Sequence, residues 1–298
     1  MILFTARPRF DLPVTPTELL AAHPAAARLG AFAGVFALMT VWELLAPRRV
    51  LHRPKGTRWL NNLGIIAADT LLVRLVLPGA ALATALFAAR HGWGVLPLLA
   101  LPAPVRLLLT LAALDLTVYL QHVMLHAVPA LWRLHRVHHA DLDFDVTTGV
   151  RFHPLEILLS LLIKCAAIAL LGASPIAVLL FEIVLNASAM FTHGNVRLPA
   201  HLDATLRWLL VTPEMHRVHH SIDTDETNRN FGFNLSWWDR LLGTYRAASR
   251  TAQDQMTLGL PGWRDPRQCD HVQGMLIMPF IAESRGSAIA RRTVKEGP

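Results

Sequence analysis

The stretch His-Arg-Val-His-His occupies residues 135–139, and the same five residues recur at 216–220. Residues three and four apart share one face of a helix, so the histidines of each copy should project together. Just upstream, His122 and His126 repeat the four-residue spacing. Neutral imidazole binds zinc, copper, iron and nickel, so the pattern predicts a metal centre without naming the ion. One cluster can hold one ion, and two facing clusters can hold two. The predicted ligands are His122, His126, His135, His138, His139, His216, His219 and His220.

The composition around these histidines predicts an all-α, multi-pass membrane helical bundle. Hydrophobic residues make up 53% of the 298 residues, charged residues only 16%, and the mean hydropathy is +0.38. A spanning helix needs roughly 20 apolar residues. We therefore expect about four to five spans, with a cytoplasmic helical cap that completes the histidine site. The candidate windows are residues 29–46, 63–89, 104–121, 155–172 and 175–192.

The basic residues predict an orientation. Arg48, Arg49, Arg53, Lys55 and Arg58 follow the first span, and positive residues near span ends favour the cytoplasmic side. This places the N-terminus outside the cell membrane and every histidine cluster on the cytoplasmic face. The net charge of +7 does not indicate nucleic-acid binding, because the chain lacks interleaved basic and aromatic residues or a nucleic-acid-binding signature.

The chain divides into four predicted segments that act as one functional domain. Residues 1–28 form an N-terminal lead-in without the pattern of a cleavable signal peptide. Residues 29–193 form the transmembrane region with the first and second histidine boxes. Residues 194–282 form the cap with the last box, and residues 283–298 form a polar tail.

Several stretches resemble the fatty acid hydroxylase superfamily, also called the sterol desaturase family. Besides the three histidine boxes, the likeness includes Trp-Arg-Leu-His-Arg-Val-His-His-Ala-Asp at 132–141 and Asp-Val-Thr-Thr-Gly-Val-Arg-Phe-His-Pro at 145–154. It also includes Asn-Phe-Gly at 230–232 and Trp-Asp-Arg-Leu-Leu-Gly-Thr-Tyr at 238–245, and it covers roughly residues 115–279. The resemblance implies an integral-membrane oxygenase with a histidine-held di-iron site. It assigns ligand roles to the eight histidines named above.

The resemblance also implies a ligand between the second and last boxes, where His193 stands. Some members carry another histidine three or four residues later, but this chain has Val196 and Arg197 there. Asn195, His153, His201 or water could supply a tenth ligand. Of these, we expect Asn195 or water at the metal, His153 behind the ligands, and His201 on the surface.

Other polar residues are candidates for orienting the ligands, because a metal-bound imidazole needs an acceptor for its second nitrogen. Asp115 lies two helical turns before His122, and an ionisable group inside a membrane is a functional candidate. Glu182 is also a candidate, although it could equally well form a structural ion pair with Arg74 or Lys164. Arg136 and Arg217 could contact lipid headgroups or a partner protein, or could simply extend to the membrane surface. The remaining candidates are Asn186, Asp141, Asp145 and Asp239, of which Asp141 could instead cap a helix.

Taken together, these patterns predict an O2-dependent di-iron enzyme that hydroxylates or desaturates a C–H bond of a lipid, fatty acyl or sterol-like substrate. The sequence contains no glycine-rich dinucleotide motif and no cysteine-ligated cluster, so electrons should come from a separate ferredoxin or cytochrome. The alternatives are a metal-dependent membrane hydrolase and a histidine-rich metal transporter or metal-binding membrane protein. A transporter would distribute its ligands through the membrane midplane.

Overall fold

The computed structural model describes residues 23–282, and within them every regular element is helical. The predicted lead-in lies largely, and the predicted polar tail wholly, outside the described residues. The membrane region contains α1 (Pro24–Leu45), α2 (Lys55–Val76), α3 (Ala80–His91), α4 (Ala103–Ala127), α6 (Pro154–Leu171) and α7 (Pro175–Thr192). The shorter helices are α5 (Pro129–His139), α8 (Ala200–Leu206), α9 (Pro213–His219), α10 (Thr224–Thr227), α11 (Trp237–Leu241), α12 (Pro266–Cys269) and α13 (Val272–Ile277). Single 3-10 turns occur at Leu96–Leu98, Thr148–Val150 and Met278–Phe280.

Five helical stretches of the described chain are long and apolar enough to cross a membrane. This confirms the predicted multi-pass bundle. The two final spans are separated only by the turn from Gly172 to Ser174, as expected. Gly172 ends α6 with φ of +68°, a conformation that glycine adopts without steric cost. Ser174 caps α7 by accepting a hydrogen bond from the N–H of Ala177.

The second predicted window, 63–89, is not one straight helix. The chain breaks at Leu77, Pro78 and Gly79, between α2 and α3. Proline cannot donate the helical hydrogen bond, and Gly79 has φ of +68°. The 12-residue helix α3 is too short to cross a membrane, and it packs instead against α6 and α7. The predicted span therefore corresponds to α2 followed by a short helix at the far end of the bundle.

Prolines set where many of these helices begin. Proline occupies the first position of α1, α5, α6, α7, α9 and α12. The first N–H of a helix has no intrahelical acceptor, so proline loses nothing there and its fixed φ suits the helix. α4 ends at Ala127 and α5 begins at Pro129, so only Val128 separates the helices that carry the first and second histidine boxes.

The loop after α1 and the cap meet at the end of the bundle that carries the histidines. The backbone N–H of Arg48 donates to the carbonyl of Asn195, and the guanidinium of Arg53 lies 2.8 Å from Asp270. Arg58 is fully buried. The basic stretch therefore lies at the same end as the histidine clusters, and part of its charge is neutralised by the cap.

Two arginines of the repeated pentapeptide have a different role from the predicted one. Arg136 and Arg217 are buried, so neither reaches lipid or a partner protein. Arg136 donates to the carbonyls of Met278 and Ile281 and lies over the ring of Trp263. Arg217 donates to the side chain of Gln253 and to a backbone carbonyl at 194. Both arginines thus fix distant parts of the cap onto the helices that carry the histidines.

Candidate metal centre

Nine histidines converge into two buried groups at one end of the spans. The five-histidine group contains His122, His126, His135, His139 and His219, and the four-histidine group contains His138, His193, His216 and His220. Within each group, the candidate ligand atoms all lie within 4.8 Å of one another. All nine predicted histidines therefore meet, including His193. Their roles as ligands remain a prediction.

The two copies of His-Arg-Val-His-His each contribute to both groups. His135 and His139 belong to one group while His138 belongs to the other. In the second copy, His216 and His220 join His138, and His219 joins the first pair. The copies face one another closely, since the rings of His139 and His220 stack with centroids 4.5 Å apart. The sequence suggested one ion for each cluster, whereas in the structure each group takes histidines from both copies.

The distances between ring nitrogens fit shared coordination of an ion. The Nε2 atoms of His122 and His219 are 3.0 Å apart, and those of His138 and His193 are 3.1 Å apart. Ligand atoms about 2.1 Å from one ion and at right angles to each other lie about 3.0 Å apart. Nε2 of His135 and Nε2 of His220 are buried and have no hydrogen-bond partner among the described residues. A bound cation at each group would satisfy these nitrogens.

Burial keeps the imidazoles outside the spans neutral. It lowers the pKa of His135 to about 3 and that of His193 to about 4. Burial and then neighbouring histidines lower the pKa values of His138, His216 and His219 well below the ordinary value. A charged cluster would be costly in this environment, whereas the neutral ring is the form that binds metal.

Hydrogen-bond acceptors contact the Nδ1 atom of most of these histidine rings. Because a carbonyl can only accept, Nδ1 carries the proton and Nε2 is left free for an ion. Nδ1 of His122 donates to Phe231 over 2.8 Å, and Nδ1 of His193 donates to Ala189 over 2.7 Å. Similar contacts join His138 to the carbonyl of Arg151, His219 to the carbonyl of Arg229, and His126 to the side chain of Asn228.

One such contact is made by a carboxyl group, that of Glu156, which the sequence analysis missed. Its Oε1 lies 2.7 Å from Nδ1 of His135, and both side chains are buried. Glu156 lies in the first turn of α6, three residues after His153. A carboxylate at the start of an otherwise apolar span is the signal that could have revealed it.

Neither of the two expected extra residues, Asn195 and His153, joins the histidine groups. The amide of Asn195 makes two hydrogen bonds to the backbone of Arg49, and its own N–H donates to Glu43. The ring of His153 accepts from the N–H of Leu155 and contacts the carbonyl of Leu276. Both side chains are used in joining segments, and no further His, Cys, Asp or Glu among residues 23–282 joins either histidine group. His201 is exposed, as expected.

Asp115 and Asp239 support the centre indirectly. Asp115 accepts from the side chains of Asn234 and Trp238, rather than from a histidine. Asp239 accepts from the N–H of Phe231 and also from residue 232, and burial raises its pKa to about 6. Together they hold the loop in which the backbone carbonyl of Phe231 accepts a hydrogen bond from His122.

Asp145 and Asp141 bind arginine rather than histidine. Arg58 makes two hydrogen bonds of 2.9 Å to Asp141 and one of 2.6 Å to Asp145. Burial alone would raise the pKa of Asp141, but Arg58 and Arg151 outweigh it and hold the pKa well below its ordinary value. This buried network fixes the segment that follows the second histidine box.

A cavity of about 640 Å³ leads from the five-histidine group into the membrane bundle. Its volume lies within the range of roughly 300–1,000 Å³ that is usual for small-molecule sites. His122, His135 and Glu156 line one end, and Leu114, Leu161 and Leu185 line the apolar walls. Glu182 and Asn186 also line the cavity, so these predicted polar residues face it rather than the histidines.

Comparison with known proteins agrees with this geometry. The family model described as fatty acid hydroxylase matches residues 107–244, a region that includes all nine histidines. Residues 107–244 form a fatty acid hydroxylase domain. This confirms the resemblance seen in the histidine boxes and their flanking motifs.

The relatives of this fatty acid hydroxylase domain have names that refer to lipid hydroxylation or monooxygenation. The chain is 30% identical to an ornithine lipid hydroxylase of Rhizobium tropici over 64% of its own length and 55% of the relative's. It is 28% identical to human alkylglycerol monooxygenase over 45% of its own length and 29% of the relative's. It is 29% identical to human cholesterol 25-hydroxylase over 49% and 53% of the two lengths. The chain thus spans about half or less of each relative, and no solved structure matches it significantly.

Proposed function

We propose that the chain is a membrane-bound di-iron oxygenase that hydroxylates, or desaturates, a C–H bond of a lipid, fatty acyl or sterol-like substrate. The observation that carries the proposal is the position of the nine buried histidines, which form two adjacent groups at the end of an apolar cavity. The fatty acid hydroxylase domain and the names of the relatives support the same chemistry.

The nine histidines would hold the two iron ions, five at one group and four at the other. Bound iron would supply the oxidising power that an unactivated C–H bond requires, since acid and base groups cannot break such a bond. In hydroxylation, one atom of O2 enters the C–H bond and the other leaves as water. Two electrons come from a separate donor protein, of the ferredoxin or cytochrome type, and two protons come from solvent.

The protein's own residues would position and shield the reaction. Hydrogen bonds from Nδ1 would keep three of the rings from rotating away from the ions. The donors are His122, His135 and His193, and their acceptors are Phe231, Glu156 and Ala189 in that order. The apolar walls of the cavity would align a hydrocarbon chain with the five-histidine group and exclude water. The four-histidine group has one histidine fewer, so an ion held there would take a non-protein ligand such as water.

We further propose that the histidine end of the bundle faces the cytoplasm, because the basic stretch after α1 lies at this end. This orientation would put the N-terminus outside the cell membrane. The spans at 29–193 and the cap at 194–282 would then act as one functional unit, with the electron donor docking on the cytoplasmic side.

Lipid analysis of cells with and without the gene, grown under 18O2, tests the function directly. We expect a lipid that gains one labelled oxygen, or a new double bond, only in cells carrying the gene. His138→Ala should behave like the deletion. His153→Ala is the matched control, because His153 is buried but lies outside both groups, and it should retain the product. A lipid fraction with no labelled oxygen and no new double bond would contradict the proposal, and this is the result that a hydrolase or a transporter would give.

A further inference from the structure

A cluster of charged side chains lies in the wall of the cavity, away from the histidines. Arg28, Arg74, Lys164 and Glu182 line the cavity, and Asp69 lines it as well. They come from four different helices, α1, α2, α6 and α7. Ionisable residues inside a membrane region are costly, and they usually mark a path or a site for a polar ligand.

The charges in this cluster do not cancel. Glu182 lies between two cations, 3.0 Å from Nζ of Lys164 and 3.2 Å from Nε of Arg28. Arg74 adds a third cation and forms no ion pair with any residue of the described chain. Three cations face two carboxylates when Asp69 is included. The cluster therefore has an excess of positive charge, and the side chains of Arg28 and Lys164 remain partly exposed, at 34% and 20%.

The distance between the charged cluster and the histidines suits an amphiphile. Lys164 follows Glu156 by eight residues on α6, which corresponds to about 12 Å along the helix axis, or on the order of ten methylene groups. Glu156 contacts His135, and leucine side chains line the space between. The cavity thus joins a cationic region to the five-histidine group through an apolar passage.

On the basis of the proposed function, we infer that Arg28, Lys164 and Arg74 bind the anionic group, a carboxylate or a phosphate, of an amphiphilic lipid substrate. The hydrocarbon chain would run through the apolar passage, so that the reacting carbon lies on the order of ten carbons from the anionic group. Glu182, which lies within 3.2 Å of both Arg28 and Lys164, would compete with the ligand for their charge.

A structural ion pair predicts a different result for one substitution. If Glu182 served only to stabilise the bundle, its replacement would loosen the site and weaken all ligands. If the cations bind an anion, Glu182→Gln removes a competing charge and should strengthen anion binding. The sign of this effect therefore separates the two roles, and it does not depend on catalytic turnover.

The test is equilibrium binding of radiolabelled dodecanoate to the purified, metal-loaded full chain in detergent. Unlabelled dodecyl phosphate, methyl dodecanoate and dodecylammonium serve as competitors. We expect dodecanoate or dodecyl phosphate to bind at least tenfold more tightly than the neutral ester and the cation, and the tighter anion identifies the preferred group. Lys164→Gln and Arg28→Gln should each weaken anion binding about tenfold. Lys164→Arg should retain the affinity of the unchanged protein, and Glu182→Gln should bind the anion several-fold more tightly.

Arg106→Gln is the matched control, because Arg106 is exposed on a spanning helix and does not line the cavity. It should leave binding unchanged. Binding that does not distinguish the acid from its methyl ester, or a Glu182→Gln variant that loses affinity as Lys164→Gln does, would overturn the inference. Charge-selective binding without labelled product from 18O2 would contradict only the proposed function. Labelled product with no charge selectivity would contradict only this inference.

Discussion

Replacement of Glu156 by glutamine should selectively weaken one of the two proposed ions. Oε1 of Glu156 accepts from His135 over 2.7 Å, and the two side chains are only 3% and 1% exposed. Glutamine keeps the volume and an acceptor oxygen but removes the negative charge that makes the histidine a better ligand. His135 belongs to the five-histidine group, so the other group should be unaffected.

Loss of a residue that orients a ligand typically lowers metal affinity 10- to 100-fold. We expect the upper part of this range, about 30- to 100-fold or about 2 to 2.7 kcal/mol, because the contact is short, charge-assisted and buried. Glu156→Leu should cost about 1 to 3 kcal/mol more, since it would leave the N–H of His135 buried without an acceptor.

The assay is graded chelation of the iron-loaded protein, followed by metal analysis of the separated protein. We expect Glu156→Gln to lose one ion at a free chelator concentration about 30- to 100-fold lower than the unchanged protein requires. The second ion should be lost at the same chelator concentration in both proteins. Asp270→Asn is the control, because Asp270 is also a buried carboxylate but pairs with Arg53. Release of both ions together, or a release curve identical to that of the control, would refute the reasoning.

Three further predictions concern the architecture that supports the site. Arg58→Met should lower stability by about 3–5 kcal/mol, because it leaves buried carboxylates without their cation, and a thermal midpoint in detergent equal to that of the unchanged protein would argue against this. Gly94→Ala should destabilise the bundle, because φ of Gly94 is +103° and a Cβ there would lie 2.0 Å from the backbone of Gly172. Gly30→Ala is the control, since its Cβ would meet nothing within 4 Å, and equal thermal midpoints for the two variants would contradict the structure. Burial raises the pKa of the Cys269 thiol to about 12, so iodoacetamide should label it slowly at pH 8, as measured by peptide mass spectrometry. Rapid labelling of the folded protein would count against this packing.

Apart from His193, which only the family resemblance suggested, the sequence by itself determined the helical class, most of the spans and the other eight converging histidines. These features depend on local physics. Helical spacing puts His135, His138 and His139 within one short helix whatever the rest of the chain does, and long apolar runs favour membrane helices. Within the predicted spans, the break at Pro78 and Gly79 was missed, although both residues are ordinary helix breakers.

Only the tertiary structure decided how the histidines are divided and what holds them. The two copies of the pentapeptide look equivalent in sequence, yet His138 lies with His216 and His220, while His219 joins the other group. The acceptor of His122 is a backbone carbonyl 109 residues away, and a carbonyl leaves no mark in the sequence. Glu156 escaped notice because an acidic residue at the start of a span is also a common way to begin a helix. Long-range packing chooses among such locally equal options, so spacing along the chain could identify eight of the nine converging histidines but could not show how they are grouped.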